Sequence, residues 1–418
     1  MRIRPALLVF SMVATAQGAA AQGIDGLLHG FVQANWSVRT TGADSPGLQT
    51  KDFLLGEERL QLELEDYSAS GTAGFLAKID FFHDALADRS DLEVREAYVD
   101  ATIDRFSLRL GRQIVTWGVG DLIFINDLFP KDYTAFFSGR PLQYLKIGVD
   151  ALKLDVVSGL AGAEVVLTPS FSPDRLPGPD RFVLADPFPG LARIEQRPEL
   201  RLANIQVAGR VYHRLAGADV SLYASRGFHG SPAPQPDTDP AAARVVLRFP
   251  RLNAYGASLE RAGFGGVVSA EVGYYDSRED PAGADPWIPN SEIRALLGYR
   301  RQIGAEGQLG LQYYAEWMQD HDAYVANLVA GFEPRDEVRH VATLRYTQQL
   351  AYQTWQLSLF LFAGLSEADY LVIPEVRHRL TDELWAAVGA NVFGGGSQDL
   401  FGALDDNDNI FLTVRYGF

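Results

Sequence analysis

The 418-residue chain contains no cysteine, which excludes disulfides, thiolate metal sites and thiol nucleophiles. It also lacks any apolar run long enough to cross a bilayer as a helix: Ala6 to Ala16 covers about 11 residues, against the ~20 that a spanning helix needs. Walker-type glycine loops, a Gly-x-Ser-x-Gly elbow, an HExxH pair and histidines at metal-ligand spacing are all missing, so no cofactor, metal or enzyme activity is expected. Positive charge is scarce. Lys and Arg number 37 against 53 Asp and Glu, a net charge of -16, and this balance disfavours nucleic acid as a partner.

What is present begins with Arg2 and Arg4, the short apolar run, and Ala19-Ala20-Ala21 ahead of Gln22. These read as a secretory signal peptide over residues 1–21, cut after Ala21. Losing Arg2 and Arg4 lowers the basic count from 37 to 35 against 53 acids, a mature net charge of -18. If the mature chain is in a membrane, it must cross as strands of a closed barrel, because no helix of the required length exists. A mean hydropathy of only -0.06 with 47% hydrophobic residues fits strands that have one apolar face.

The last ten residues carry that alternation. Ile410, Leu412, Val414, Tyr416 and Phe418 share one face, and Phe411, Thr413, Arg415 and Gly417 share the other. In a membrane barrel the first set faces lipid and the second an aqueous lumen, with Phe411 as a departure. The ending resembles the closing strand of Gram-negative outer-membrane barrels, and that resemblance makes Phe418 part of the assembly signal. Further lipid-facing sets are Val32, Ala34, Trp36 and Val38; Leu60, Leu62 and Leu64; Ala203, Ile205, Val207 and Val211; Val268, Ala270, Val272 and Tyr274; and Leu309, Leu311, Tyr313, Ala315 and Trp317. Their alternate neighbours include Gln33, Asn35, Arg59, Gln61, Asn204, Arg210, Glu271, Gln312, Glu316 and Arg345.

Short turns are expected near residues 66–71, 103–106, 159–162, 215–218, 262–265, 303–307, 350–354 and 380–383. Long connections are expected at 40–52, 83–91, 117–141, 171–199, 228–250, 276–290, 319–338 and 393–408. The reading is all-β, with residues 22–418 forming one transmembrane antiparallel up-and-down β-barrel. It has about 18 strands, or 16 if the irregular stretch 142–167 adds no hairpin.

The segment Leu108–Arg140 begins as a strand into Gly111-Arg112-Gln113, followed by Trp117-Gly118. This start resembles outer-membrane porin-like barrels of the DUF1302 type, in which a Gly-Arg-Gln strand ends near a Trp-Gly and leads into a long connection. The resemblance implies a channel in the cell outer membrane. Its expected partners are membrane lipid and lipopolysaccharide, the barrel assembly machinery, small solutes and a possible second copy of the chain.

The connection itself is unusually apolar, with Leu122, Ile123, Phe124, Ile125, Leu128 and Phe129, and would be poorly solvated standing out in water. It is expected either to fold into the lumen or to cap the rim. Pore or constriction candidates are Arg95, Arg109, Arg112, Asn126, Asp127, Lys131, Asp132 and Arg140, since arginine forks suit anions and equally pair with wall carboxylates. Asp320-His321-Asp322 is the best hydrolase candidate, although strand neighbours point to opposite faces. Asp405-Asp406-Asn407-Asp408-Asn409 is rich in oxygen ligands but lacks a calcium-loop register and reads as a hydrated loop. The expected function is passive diffusion of small hydrophilic solutes. A barrel of an export or secretion system and a barrel-borne hydrolase are the alternatives.

Overall fold

The computed structural model describes residues 27–41, 53–184, 186–237, 239 and 242–418. The expected leader and residues 42–52 of the first long connection lie outside them. The chain runs through β1 (Leu28–Arg39), β2 (Phe53–Tyr67), β3 (Ala73–Asp84), β4 (Arg89–Ile103), β5 (Phe106–Gln113), β6 (Val149–Ser158) and β7 (Ala161–Thr168). Then follow β8 (Ala192–Gln196), β9 (Gln206–Leu215), β10 (Ala218–Phe228), β11 (Ala233–Pro236), β12 (Arg244–Arg248), β13 (Arg251–Gly263) and β14 (Gly266–Ser277). The last seven are β15 (Glu292–Ile303), β16 (Gly307–Met318), β17 (Val338–Leu350), β18 (Trp355–Gly364), β19 (Tyr370–Arg379), β20 (Leu384–Gly394) and β21 (Asn409–Gly417). All but β8, β11 and β12 form one 18-stranded antiparallel sheet, and β21 pairs back onto β1, so the sheet is a closed barrel. Sixteen strands is excluded because β6 and β7 form a regular hairpin.

Strand alternation sorts the side chains as period two requires. On β16, Leu311, Tyr313 and Trp317 are 43%, 45% and 45% exposed on the outer face, whereas Glu316 is buried inside. All eight expected short turns are present. Ala216-Gly217 and Phe264-Gly265 turn with positive φ at both residues, the conformation that matches strand twist in two-residue hairpins.

Three expectations need correction. Residues 83–91 hold no long connection: β3 runs to Asp84 and β4 starts at Arg89, because Asp84 accepts the amides of Leu86 and Ala87 and Asp88 adopts a positive φ. Ala203, Asn204 and Ile205 are not in a strand, since Leu202–Asn204 forms a 3-10 turn before β9. Residues 405–409 are hydrated only in part: Asp405 and Asp406 are exposed, but Asn407 and Asn409 are buried and the Asn407 side chain exchanges bonds with both the amide and the carbonyl of Val183.

The barrel closes on a glycine. Gly30 and Phe418 exchange backbone hydrogen bonds of 3.0 and 2.9 Å, beyond the β1–β21 ladder that runs from Phe31↔Gly417 to Arg39↔Asn409. A Cβ on Gly30 would come within 2.4 Å of the Gln61 carbonyl and 2.8 Å of the Phe418 ring. Gly417 has no such neighbour, its nearest atoms lying 3.8 Å away. Gly30→Val should therefore abolish the heat-modifiable folded band on gels, and Gly417→Val should keep it. Equal folding of the two variants would contradict this account of closure.

Candidate functional site

The lumen is occupied by the chain's own residues 114–148, which leave the wall after β5 and return to it at β6. Gly111, with φ of 132°, lies two residues before the end of β5, and a Cβ there would lie 2.2 Å from the Ala97 carbonyl. The amide of Ile114 then donates to Glu96 at 3.1 Å. Trp117 donates its indole N–H to Glu164, and its ring packs on Phe129 and Tyr223 with centroids 5.2 and 5.8 Å away. Val115, Val149, Ala151 and Val166 complete this apolar foot.

Six strands around the wall, Glu271 on β14 receives the segment. Its buried carboxylate accepts from Val119 N at 2.8 Å, Gly120 N at 3.1 Å, Asn126 N at 2.9 Å and Asn126 Nδ2 at 2.9 Å. A carboxylate so surrounded by donors satisfies four groups that the lumen would otherwise leave unpaired. Gly118, at φ of 78°, cannot be replaced without crowding, since a Cβ would sit 2.6 Å from the Glu271 oxygen. The wall is cut to fit: a Cβ on Gly256 would be 1.9 Å from Asn126 Oδ1, and one on Gly273 would be 2.6 Å from Ile125. Asp121 next receives Arg345 of β17 at 2.7 Å.

The remainder continues around the wall. Asp132 accepts the Ala135 amide at 2.7 Å and so caps the short helix α1 (Tyr133–Phe137). The Phe137 carbonyl accepts from Asn391 at 2.9 Å and Asn409 at 3.2 Å. Phe411, the aromatic that departed from the lumen pattern, packs where a Cβ on Gly139 would be 2.5 Å from its ring. Its inward direction is thereby explained. Arg140 pairs with Glu57 at 2.7 Å, and Tyr144 is sandwiched between the Arg59 and Arg95 guanidiniums, 4.6 and 4.8 Å from its ring centre. Burial pushes the Tyr144 phenol up to about 12.

Of the eight candidate residues, six hold this segment in place. Arg95 donates to the Gln143 and Lys146 carbonyls at 2.6 and 3.3 Å, reaching inward from a bulge beside Val94. Asn126 binds Glu271 and Val272, Asp132 pairs with Arg175 at 3.1 Å, and Arg140 takes Glu57. Buried Asp127 bridges Lys131 at 3.0 Å and Lys146 at 2.8 Å. Burial holds the Lys131 amine below the usual lysine range despite that carboxylate.

Arg109 and Arg112 stand apart from it. Arg109 lies near the short-turn end, paired with Asp100 at 2.8 and 3.0 Å over the Tyr98 ring. Arg112 pairs with Asp150, which alternates with buried Val149 and Ala151, so the two arginines point to opposite faces of the wall. His321 opens a second helix, α2 (His321–Asn327), and bonds the Arg335 carbonyl at 2.8 Å rather than either neighbouring carboxylate. Among the described residues no group of acids and histidines could hold a metal ion.

Two chambers flank the segment along the β16–β20 wall. The one toward the long loops is lined by Ile123, Tyr133, Phe362, Leu371, Phe401 and Leu404 among others. The one toward the short turns has Arg140, Arg345, Gln356, Ser358, Glu375 and Arg377 in its lining. Leu122, Phe136 and Phe360 line both and stand at their boundary. Leu122 holds φ of 60°, unusual for a branched aliphatic residue. Arg345 and Glu271 were legible as inward positions of alternating strands. Their roles were not, since alternation cannot say which loop reaches them.

Removing the Glu271 acceptor tests the framework. Glu271→Leu should cost about 3–5 kcal/mol, as expected when one partner leaves a buried charged network, and should expose residues 117–141 to protease. Glu271→Gln should cost less, because it keeps one acceptor oxygen. Urea unfolding in lipid vesicles with limited proteolysis reads both, and an unchanged protease pattern in the leucine variant would contradict the account.

Comparison with known proteins fits this architecture. Three solved structures from Pseudomonas aeruginosa each cover 94% of this chain: OccK2 (OpdF) in complex with glucuronate (TM-score 0.56, 12% identity, 98% of its own chain), OpdK with vanillate (0.56, 10%, 98%) and OccK10 (OpdN) (0.52, 13%, 99%). At such identities the likeness is one of fold. No curated protein matches. The model of the family described as "Protein of unknown function (DUF1302)" matches residues 83–418, four-fifths of the sequence and all of the lumen segment, and the chain belongs to that family.

Proposed function

We propose that the protein is a channel of the cell outer membrane through which small solutes diffuse without a chemical step. The observation that carries this reading is the pair of chambers meeting at Leu122, Phe136 and Phe360, inside a closed barrel whose outer face is apolar. The exposed aliphatic and aromatic outer surface suits hydrocarbon, and barrel closure leaves no strand edge unpaired. With the short turns toward the periplasm, solute enters from the long-loop side and passes between the segment and the wall. The lower chamber suits a hydrated polar group, and its arginines Arg140, Arg345 and Arg377, paired with Glu57, Asp121 and Glu375, line the passage as ion pairs whose partly exposed guanidiniums can meet a passing anion. Phe418, seated in the closing ladder, serves the assembly machinery as its recognition residue.

Planar-bilayer conductance tests the reading. Wild-type protein should conduct, Leu122→Gly combined with Phe136→Ala should conduct several-fold more, and Arg345→Gln with Arg377→Gln should reduce anion preference in the reversal potential. The many bonds that tie the segment to the wall favour a second reading, a barrel held shut until a partner acts. Absence of current in wild type and in the widened variant would support that reading and contradict the first.

A further inference from the structure

We infer that the long-loop chamber is a binding site for the apolar body of an amphipathic solute, an inference that rests on the channel reading above and narrows its substrate class. A route used only by hydrophilic molecules has no need of so much apolar wall. Yet this chamber is lined by Ile123, Tyr133, Phe136, Phe362, Leu371 and Phe401, and the large aromatic and aliphatic residues outnumber the polar ones. The lining is continuous with a packed cluster of Leu54, Phe137, Phe182, Leu371, Phe393, Phe401 and Leu404, so its shape is set by side chains that cannot turn away. Tyr133, Phe136, Leu184 and Phe362 pack on that cluster while only partly buried, and all four also border the chamber. Leu176 and Leu400, 42% and 51% exposed, add apolar surface to the same wall.

The charged groups in this chamber are already engaged. Arg339 pairs with Glu367 at 2.7 Å and lies 3.6 Å from Asp369, while Glu316 pairs with Arg335 at 2.7 Å and lies 3.4 Å from Arg294. They offer little pull on a free ion, so recognition here is by burial of apolar surface. Beyond the boundary at Leu122, Phe136 and Phe360 the lining gains Arg140, Arg345, Gln356, Ser358, Glu375 and Arg377 among its apolar residues, which suits a molecule whose apolar part is held above while its polar head enters below. The chamber is enclosed within a barrel, and this favours a small molecule over a protein surface. Residues 42–52, with Leu48 as their one large apolar side chain, are poorly matched to it as an occupant.

The test uses full-length protein in lipid nanodiscs, dialysed to equilibrium against sodium n-alkanoates from butyrate to octanoate, with empty nanodiscs as the correction for lipid partitioning. Protein-dependent affinity should rise about fourfold per added methylene, the transfer value for a buried CH₂. Leu176→Asn with Leu400→Asn, and separately Phe362→Ser, should weaken octanoate far more than butyrate. Two variants on different elements keep the test usable if one fails to fold. Affinity that does not rise with chain length, a rise unchanged in both folded variants, or binding that emerges only when residues 43–51 are deleted would overturn the site. Conductance of the same preparations separates the two readings: current without chain-length-dependent binding rejects this site alone, and binding without current rejects the channel alone.

Discussion

The arrangement inside the barrel depends on one buried carboxylate. Glu271 lies on β14, six strands around the wall from the point where the chain leaves β5, and it accepts four hydrogen bonds from residues 119–126. An irregular segment inside a barrel brings backbone amides that no strand can pair, and those buried against the wall need a partner there. Glu271 meets three of them at once and fixes Asn126 besides. The later contacts, Arg345 on Asp121, the asparagines on Phe137 and Arg140 on Glu57, then follow the wall around to β2.

Space is as decisive as charge. Gly118, Gly139, Gly256 and Gly273 each stand where a Cβ would collide with the segment or with the wall side chain it meets. The wall therefore has a groove cut by missing side chains, and the segment fills it on one side of the lumen. On the other side, along β16 to β20, the fit is looser and the two chambers remain. The asymmetry leaves space beside the segment, narrowed by three apolar side chains, and that space is the route the proposed channel would use.

Much of the barrel was legible in the sequence because lipid and lumen impose a strict period of two. Leu309 to Trp317 on one face, with Gln312 and Glu316 on the other, left no second assignment, and eight short turns between such runs gave the strand number. The lumen segment was legible as an anomaly, since Leu122 to Phe129 is too apolar for a free loop. Its path was not, because the bonds that set it link residues as far apart as Asn126 and Glu271. Arg112 was misplaced for a local reason: β5 keeps its register through Gly111 to Gln113, and an odd spacing of three from Arg109 sends the two guanidiniums to opposite faces. Phe411 looked like a flaw in the last strand until the segment supplied Gly139 for it to pack against.

The absence of cysteine makes the central claim directly accessible, because a single introduced thiol is the only one in the protein. Phe136→Cys places it at the boundary between the chambers, and a charged methanethiosulfonate reagent added to a conducting bilayer reads whether that boundary lies on the solute path. The account predicts a stepwise loss of current on modification and its recovery on reduction. Current that is unaffected by complete labelling would show that solute does not pass between the segment and the β16–β20 wall.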